Sequence, residues 1–352
     1  MAPLKDTDPL PITLLTGFLG SGKTTVLNHL VRTLPRTAIL MNEFGEVALD
    51  HQLLQKMEGP MALLSGGCVC CTISGSLSPT LKNLWMARQK GDIPPFERVV
   101  IETTGIADPA PVLDNLLHDN WVRARFRLDG VITTVDALFG MGQLDQHFEA
   151  VKQVAVADKL LLTKTDLAPA DSVTALRERL ATLNPAADIV TVTHGELDPA
   201  AIQNLGLWNA ETRSLEVVRW LKPQRYQPAS AGKLGGKPRA ALHDARIQAF
   251  SVVLDAPLDR YGLQSALSML ASFRAENLLR FKAIVNLQGE PQPTVLHGVQ
   301  HVLYPEVKLD AWPDDDRRSR FVFIVRDLDP EFVAKLLADF SGAAQNPAAV
   351  SP

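Results

Sequence analysis

Between Pro11 and about Leu207, short apolar runs alternate with stretches of helical period. The runs at 12–16, 38–41, 62–64, 99–101, 130–135, 159–163 and 189–192 are nearly continuous in apolar residues and show no inside–outside alternation. Strands of that kind are buried on both faces, and helices between them make the sheet mainly parallel. Sites in such sheets lie beyond the carboxyl ends of the strands. From about Lys222 to Arg239 the chain holds Pro, Gly, Lys and Ser with little apolar period, which reads as a linker or long surface loop. Beyond it the pattern predicts a strand over 247–254, an amphipathic helix over 261–280, and strands over 281–286, 295–303 and 321–325. A last helix starts near Asp329-Pro330. The expected fold class is α/β: a P-loop NTPase-type, mainly parallel sheet with helices on both faces, plus a smaller α+β C-terminal domain. The expected division is 1–212 for the first domain, 213–245 for the linker, 246–342 for the second domain and 343–352 for a flexible tail.

Composition changes this picture little. With 46% hydrophobic and 21% charged residues in 352 positions, the chain can bury a sizeable core. A net charge of −4 gives no general attraction to nucleic acid or an anionic membrane. The N-terminal residues lack the apolar core of a secretory signal, and no apolar stretch is long enough to span a bilayer. A cytoplasmic protein is expected, in a compartment where thiols stay reduced.

The chemistry sits at the strand ends. Gly17-Phe18-Leu19-Gly20-Ser21-Gly22-Lys23-Thr24 matches the phosphate-binding pattern G-x-x-x-x-G-K-[ST] between a strand and a helix over 25–34. Backbone N–H groups there can curl around phosphate oxygens, with the helix N-terminus adding a favourable dipole. Lys23 would reach the β- and γ-phosphates, and the Thr24 hydroxyl would ligate Mg²⁺. The run 98–101 ends in Glu102, a carboxylate placed to meet a Mg²⁺-bound or attacking water, and Gly105 can offer its N–H to a γ-phosphate. Thr163-Lys164-Thr165-Asp166 follows the run 160–162. Asp166 can accept the N1–H and N2–H₂ donors of guanine, a pair that adenine lacks, while the Lys164 stem lies on the base. The segment is similar to the Asn-Lys-x-Asp of GTPases with Thr163 in place of Asn, which favours GTP over ATP. Residues 191–194 could add backbone donors to the guanine O6, or simply end a strand.

All three cysteines lie within four positions, Cys68, Cys70 and Cys71. They follow the run 62–64 and precede a helix over about 76–89, near whose N-terminus thiols would be acidified for metal binding. Three local cysteines do not close a four-coordinate site alone, and structural zinc favours two separated ligand pairs. An incomplete set finished by a carboxylate, an imidazole, water or a partner's ligand suits a metal that must leave again, and Glu43 and His118 are the candidates within the chain. A metal-free cluster, or a redox pair of Cys68 with Cys71, is the competing reading. His297 and His301 fall in a predicted strand and read as structural. Asp314, Asp315 and Asp316 beside Arg317 and Arg318, and the cluster Arg123, Arg125 and Arg127, read as solvated faces.

Together these residues resemble the CobW-type family of P-loop GTPase metal chaperones, closest to its YjiA-like branch. The resemblance runs from about Ile12 to Leu328. It is carried by Gly-x-x-Gly-x-Gly-Lys-Thr-Thr ending at Thr25, Asn-Glu-Phe-Gly-Glu-Val over 42–47, Gly-Cys-x-Cys-Cys over 67–71, Glu102-Thr103-Thr104-Gly105 and Thr163-Lys164-Thr165-Asp166. It implies slow GTP hydrolysis with Mg²⁺ and delivery of zinc, or of cobalt or iron, to a client metalloprotein. It also implies a switch at 42–47 joining nucleotide to the cysteines, with Glu43 at the metal; Asp50 has no assigned role. A homo-oligomer is left open. Two departures stand out. Leu279-Arg280-Phe281-Lys282 is followed by Ala283 where the family often has Gly, and the eight histidines form no metal-loading tract. Two other classes remain: an ATP-using enzyme with a structural zinc site, and a redox-sensing nucleotide-binding interaction protein.

Overall fold

The computed structural model describes residues 8–34, 36–41, 54–56, 61–64, 68–72, 77–203, 205, 217, 220, 227–228, 246–340 and 342, with the backbone alone at 54–56, 61–64, 68–72 and 227–228. The chain divides into two compact units. One holds Met1–Gln143, Ala157–Arg177 and Asp188–Gly206; the other holds Leu144–Val156, Glu178–Ala187 and Leu207–Pro352.

In the first unit the strands are β1 (Leu10–Gly17), β2 (Thr37–Met41), β3 (Leu54–Lys56), β4 (Met61–Leu64), β5 (Cys68–Thr72), β6 (Arg98–Glu102), β7 (Phe126–Asp136), β8 (Lys159–Thr163) and β9 (Asp188–Val192). They form one sheet in the order β3-β4-β5-β2-β6-β1-β7-β8-β9. From β5 to β9 all neighbours are parallel. The chain leaves β1 toward one side of the sheet and leaves β6 toward the other, so β1 ends at the switch point where such sheets bind ligands. Between these strands along the chain come α1 (Lys23–Thr33), α2 (Leu77–Lys90), α3 (Ala110–His118), α4 (Asn120–Arg123), α5 (Gly140–Gln146), α6 (Phe148–Ala155) and α7 (Ala170–Leu183), of which α6 and the C-terminal parts of α5 and α7 belong to the second unit. Val26, Leu27, Leu30 and Val31 of α1 pack on Leu15, Ile39, Val100, Ile132, Leu161 and Val192, one residue from each of six strands. That shared core fixes the phosphate loop, which joins β1 to α1, to the sheet beneath it.

The run 62–64 is a strand as expected, but β4 runs antiparallel to β5, and β3 antiparallel to β4. The cysteines themselves stand on a strand. They lie on β5, inside the sheet, paired to β2 with Cys70 opposite Ile39 and Cys71 opposite Leu40. Helix α2 (Leu77–Lys90) follows them close to the expected span, and residues 73–76 between β5 and the helix lie outside the described residues. Cysteine behaves as a small apolar residue, and Cys-Val-Cys-Cys-Thr pairs in the sheet as other apolar runs do.

The second unit carries a sheet of β10 (Gln227–Pro228), β11 (Ile247–Leu254), β12 (Leu278–Val285), β13 (Thr294–Val299), β14 (Val302–Leu303), β15 (Val307–Lys308) and β16 (Ser319–Arg326). Its order is β10-β11-β16-β12-β13-β14, with β15 on β13. Helices α8 (Arg260–Phe273) and α9 (Pro330–Phe340) bury Leu263, Leu267, Leu270, Val333 and Leu337 on Phe250, Phe281, Phe321 and Phe323. The helix expected over 261–280 therefore stops at Phe273, and the following strand starts at Leu278 rather than 281. The single strand expected over 295–303 is a hairpin, because Gln300 takes φ 51° and turns the chain. Among the described residues, no helix is long and apolar enough to cross a membrane.

Candidate functional site

Four strand ends meet at the carboxyl edge of the first sheet. The phosphate loop leaves β1 at Gly17, whose φ of 145° and crowding leave no room for a side chain. A Cβ there would stand 2.2 Å from Thr134 Oγ1 and 2.5 Å from the Thr134 carbonyl oxygen. Gly17→Ala is therefore expected to destabilise the unit by about 3 kcal/mol, the sum of backbone strain and overpacking. A denaturant midpoint indistinguishable from that of the parent would show that the loop is placed differently.

Buried hydroxyls hold the loop from below. Ser21 Oγ lies 2.6 Å from Thr134 Oγ1, and Thr103 Oγ1 donates to Thr16 Oγ1 at 2.7 Å. The Thr163 hydroxyl reaches the Ser21 carbonyl oxygen at 2.7 Å and that of Val135 at 3.1 Å. Gly20 and Gly22 take φ of 73° and 92° within the loop, Thr24 is half-buried and Thr25 is exposed at the start of α1.

Lys23 is buried, and its ammonium donates to the carbonyl oxygens of Gly17 at 2.8 Å and Phe18 at 3.2 Å. Burial lowers its pKa, and the nearby charge of Glu102 opposes that shift. Glu102, buried at the end of β6, has the mirror-image balance: burial raises its pKa and Lys23 opposes the rise. Gly105 lies against the loop, since a Cβ there would come within 2.6 Å of Leu19 Cδ2. The expected phosphate-side residues thus converge, and the hydroxyl and carboxylate oxygens of Thr24 and Glu102 are hard donors of the kind Mg²⁺ takes.

On the other side, β8 delivers Lys164 in the left-handed region at φ 55°, a conformation costing on the order of 1 kcal/mol for a residue with a Cβ. Its ammonium donates to the Gly20 carbonyl oxygen at 2.7 Å and to Asp136 Oδ2 at 2.6 Å. Asp166 is accessible at the mouth, with Oδ2 4.0 Å from the exposed His194 Nε2. Thr134 and Asp136, at the end of β7, were not among the residues singled out from the sequence. Asp136 carries the same signal as Glu102, a carboxylate closing a buried apolar run.

The metal candidates come together less fully. Cys68, Cys70 and Cys71 are placed by backbone register alone, and Glu43, like residues 42–47 and Asp50, lies outside the described residues. His118 ends α3, with Nδ1 2.9 Å from Asp114 Oδ1. Among the described residues, no group of three or more His, Cys, Asp or Glu side chains is placed to hold a metal ion. His297 sits on β13 against the rings of Trp220 and Tyr304, while His301 is exposed in the turn, so the two form no pair. Of the basic cluster, Arg125 lies on the Trp121 ring at 4.1 Å and Arg127 is half-buried 3.9 Å from Asp129. Arg318 and Arg320 pair with Asp316 and Asp314.

Residues 11–191 match the model of the CobW/HypB/UreG nucleotide-binding domain, and residues 247–341 match that of the cobalamin synthesis protein cobW C-terminal domain. The chain belongs to the CobW family. Within it, the chain is 36% identical to the zinc chaperone YjiA of Escherichia coli K12 over 95% of its own length and 99% of that protein. It is 28% identical to the zinc chaperone CobW of Pseudomonas aeruginosa over 95% and 92% of the two chains. Its structure resembles that of the Zn(II)-bound YjiA GTPase from E. coli, with a TM-score of 0.73 and 34% identity over 95% of this chain and 99% of that one. It is equally like a Zn(II)-bound triple mutant of YjiA in which one glutamate and two cysteines are alanine, with a TM-score of 0.74. The CobW fold thus extends over both units, as the order of motifs implied.

Proposed function

We propose that this CobW-family chain hydrolyses GTP and carries zinc, held at the cysteines of β5, to a client metalloprotein under nucleotide control. The observation that carries the coupling is a register. Thr72, beside Cys71, stands opposite Met41, and Met41 stands opposite Glu102. Two strand spacings, roughly 10 Å, separate the cysteine strand from the carboxylate beside Lys23. A change in the backbone at Glu102 on hydrolysis has a short, rigid route to the cysteines through β2.

In this reading the phosphate loop cradles the phosphates, Lys23 neutralises charge on the β- and γ-phosphates, and Thr24 and Glu102 hold Mg²⁺ directly or through water. Bound Mg²⁺ supplies charge neutralisation on the transferred phosphoryl group. Thr163 ties the base side to the loop, and Asp166 reads guanine. Gly105 faces the γ-phosphate, and its segment with residues 42–47 is the switch. Cys68, Cys70 and Cys71 carry the zinc with Glu43 or His118 completing the set, and cobalt or iron would fit the same thiolates. An incomplete set keeps the metal exchangeable.

The test is reciprocity. If GTP changes zinc affinity tenfold, about 1.4 kcal/mol of coupling, zinc changes GTP affinity by the same factor. GTP titrations with and without zinc are expected to differ by that order, and Cys70→Ser/Cys71→Ser is expected to abolish the difference. Identical dissociation constants would end the coupled reading. Zinc content alone is a weaker readout, since YjiA lacking a glutamate and two cysteines still appears with Zn(II) bound. ATP displacing GTP at comparable concentration would replace the guanine assignment with a general nucleotide site.

A further inference from the structure

Lys164 owes its position to a residue on a different strand. Asp136 is 1% exposed at the end of β7. Its Oδ1 accepts the N–H of Leu138 at 2.8 Å and of Phe139 at 3.2 Å, which leaves Oδ2 to the Lys164 ammonium at 2.6 Å. The same ammonium reaches Gly20 in the phosphate loop. One buried carboxylate is therefore clamped by its own turn and aimed at the lysine that closes the base side of the loop. The left-handed backbone at Lys164 fits this: the residue takes a disfavoured conformation, and two charge-assisted bonds hold the side chain back across the sheet edge.

We propose that Asp136 is a positioning residue for nucleotide recognition. It fixes Lys164 so that the lysine stem lies where the guanine plane docks, and it locks the base side of the site to Gly20. This rests on the guanine reading of Lys164 and Asp166. The carboxylate acts through Lys164 and touches no nucleotide atom itself, so its loss weakens GTP binding through the lysine alone.

Asp136→Asn is the informative variant. Its amide oxygen still accepts from Leu138 and Phe139, while its NH₂ turns toward a Lys164 that is also a donor. GTP and ATP dissociation constants would be read by competition against a fluorescent GTP analogue for the parent, Asp136→Asn, Lys164→Met and the double variant. Asp136→Asn is expected to weaken GTP about tenfold, the scale of one charge-assisted hydrogen bond, with the loss falling on KM more than on kcat. The double variant is expected to be no weaker than the worse single one. Equal losses for GTP and ATP, or losses that simply add in the double variant, would overturn the proposal in favour of a general structural role. If Asp136→Asn does not fold, Lys164→Met alone decides: an unchanged KM for GTP overturns it. A parent that binds ATP as well as GTP would instead overturn the guanine reading, a separate result.

Discussion

Lys23→Met is expected to lower kcat for GTP hydrolysis by about 10²-fold or more, the usual loss when a preorganised charge at a reacting oxyanion is removed. Methionine keeps the length of the stem and deletes the charge, so the loss is electrostatic and not one of packing. The same change leaves a signature in stability. Glu102 has a folded-state pKa raised by burial, and Lys23 is the charge that opposes the rise. A raised carboxyl binds its proton more strongly in the folded state, so stability falls as pH rises from the ordinary carboxylate range through the folded pKa. Without Lys23 that window extends upward and the fall deepens. Lys23 itself has a folded-state pKa lowered by burial, so in the parent its own contribution to stability diminishes as pH drops from its ordinary value through the folded one, a contribution that Lys23→Met removes. Unfolding midpoints from about pH 5 to pH 8 are therefore expected to decline more in Lys23→Met than in the parent. Parallel pH curves for the two proteins would separate Glu102 from Lys23, and an unchanged kcat would remove the lysine from the phosphates.

What was legible in the sequence was whatever a local signal carries. Strands β1, β2 and β6 to β8 are largely buried on both faces, so their apolar runs declare themselves, and the glycines and lysine of the phosphate loop are contiguous. Direction is different. The run at 62–64 reads as one more strand, yet whether β4 is parallel or antiparallel depends on its partner β5, whose cysteines suggested ligation before pairing. The boundary between α8 and β12 was missed for a related reason: residues 274–277 contain neither Gly nor Pro, and the helix ends because Leu278 and its successors pair with β16. In the site, the contiguous motifs were found, while Thr134, Thr103 and Asp136 matter through partners up to 118 residues away. Thr163 illustrates both sides. Its replacement of Asn was visible and its position right, but only its hydroxyl bond to the Ser21 carbonyl gives threonine a reason to be there.

Asp166→Asn is expected to raise the dissociation constant for GTP by about 10²-fold or more and to make xanthosine triphosphate the better ligand. A carboxylate offers two acceptors to the N1–H and N2–H₂ of guanine, each bond charge-assisted. Asparagine keeps one acceptor and presents its NH₂ to the guanine amino group, donor against donor. Xanthine replaces that amino group by a carbonyl, which accepts from the same NH₂. Discrimination of this size is what a site built to hydrogen-bond its ligand delivers, because a mismatch leaves polar groups unpaired. The surroundings leave Asp166 free for the role. Among the described residues its side chain has His194 Nε2 4.0 Å away and largely exposed, a contact too long and too well solvated to compete with a base. Lys164, two residues earlier, is already engaged by Asp136 and Gly20 and so does not neutralise Asp166. ATP, which has no N1–H/N2–H₂ pair to lose, is expected to bind the variant as weakly as it binds the parent. Competition among the three triphosphates measures all of this in one series, and a variant that still ranks GTP above xanthosine triphosphate would place the base away from β8.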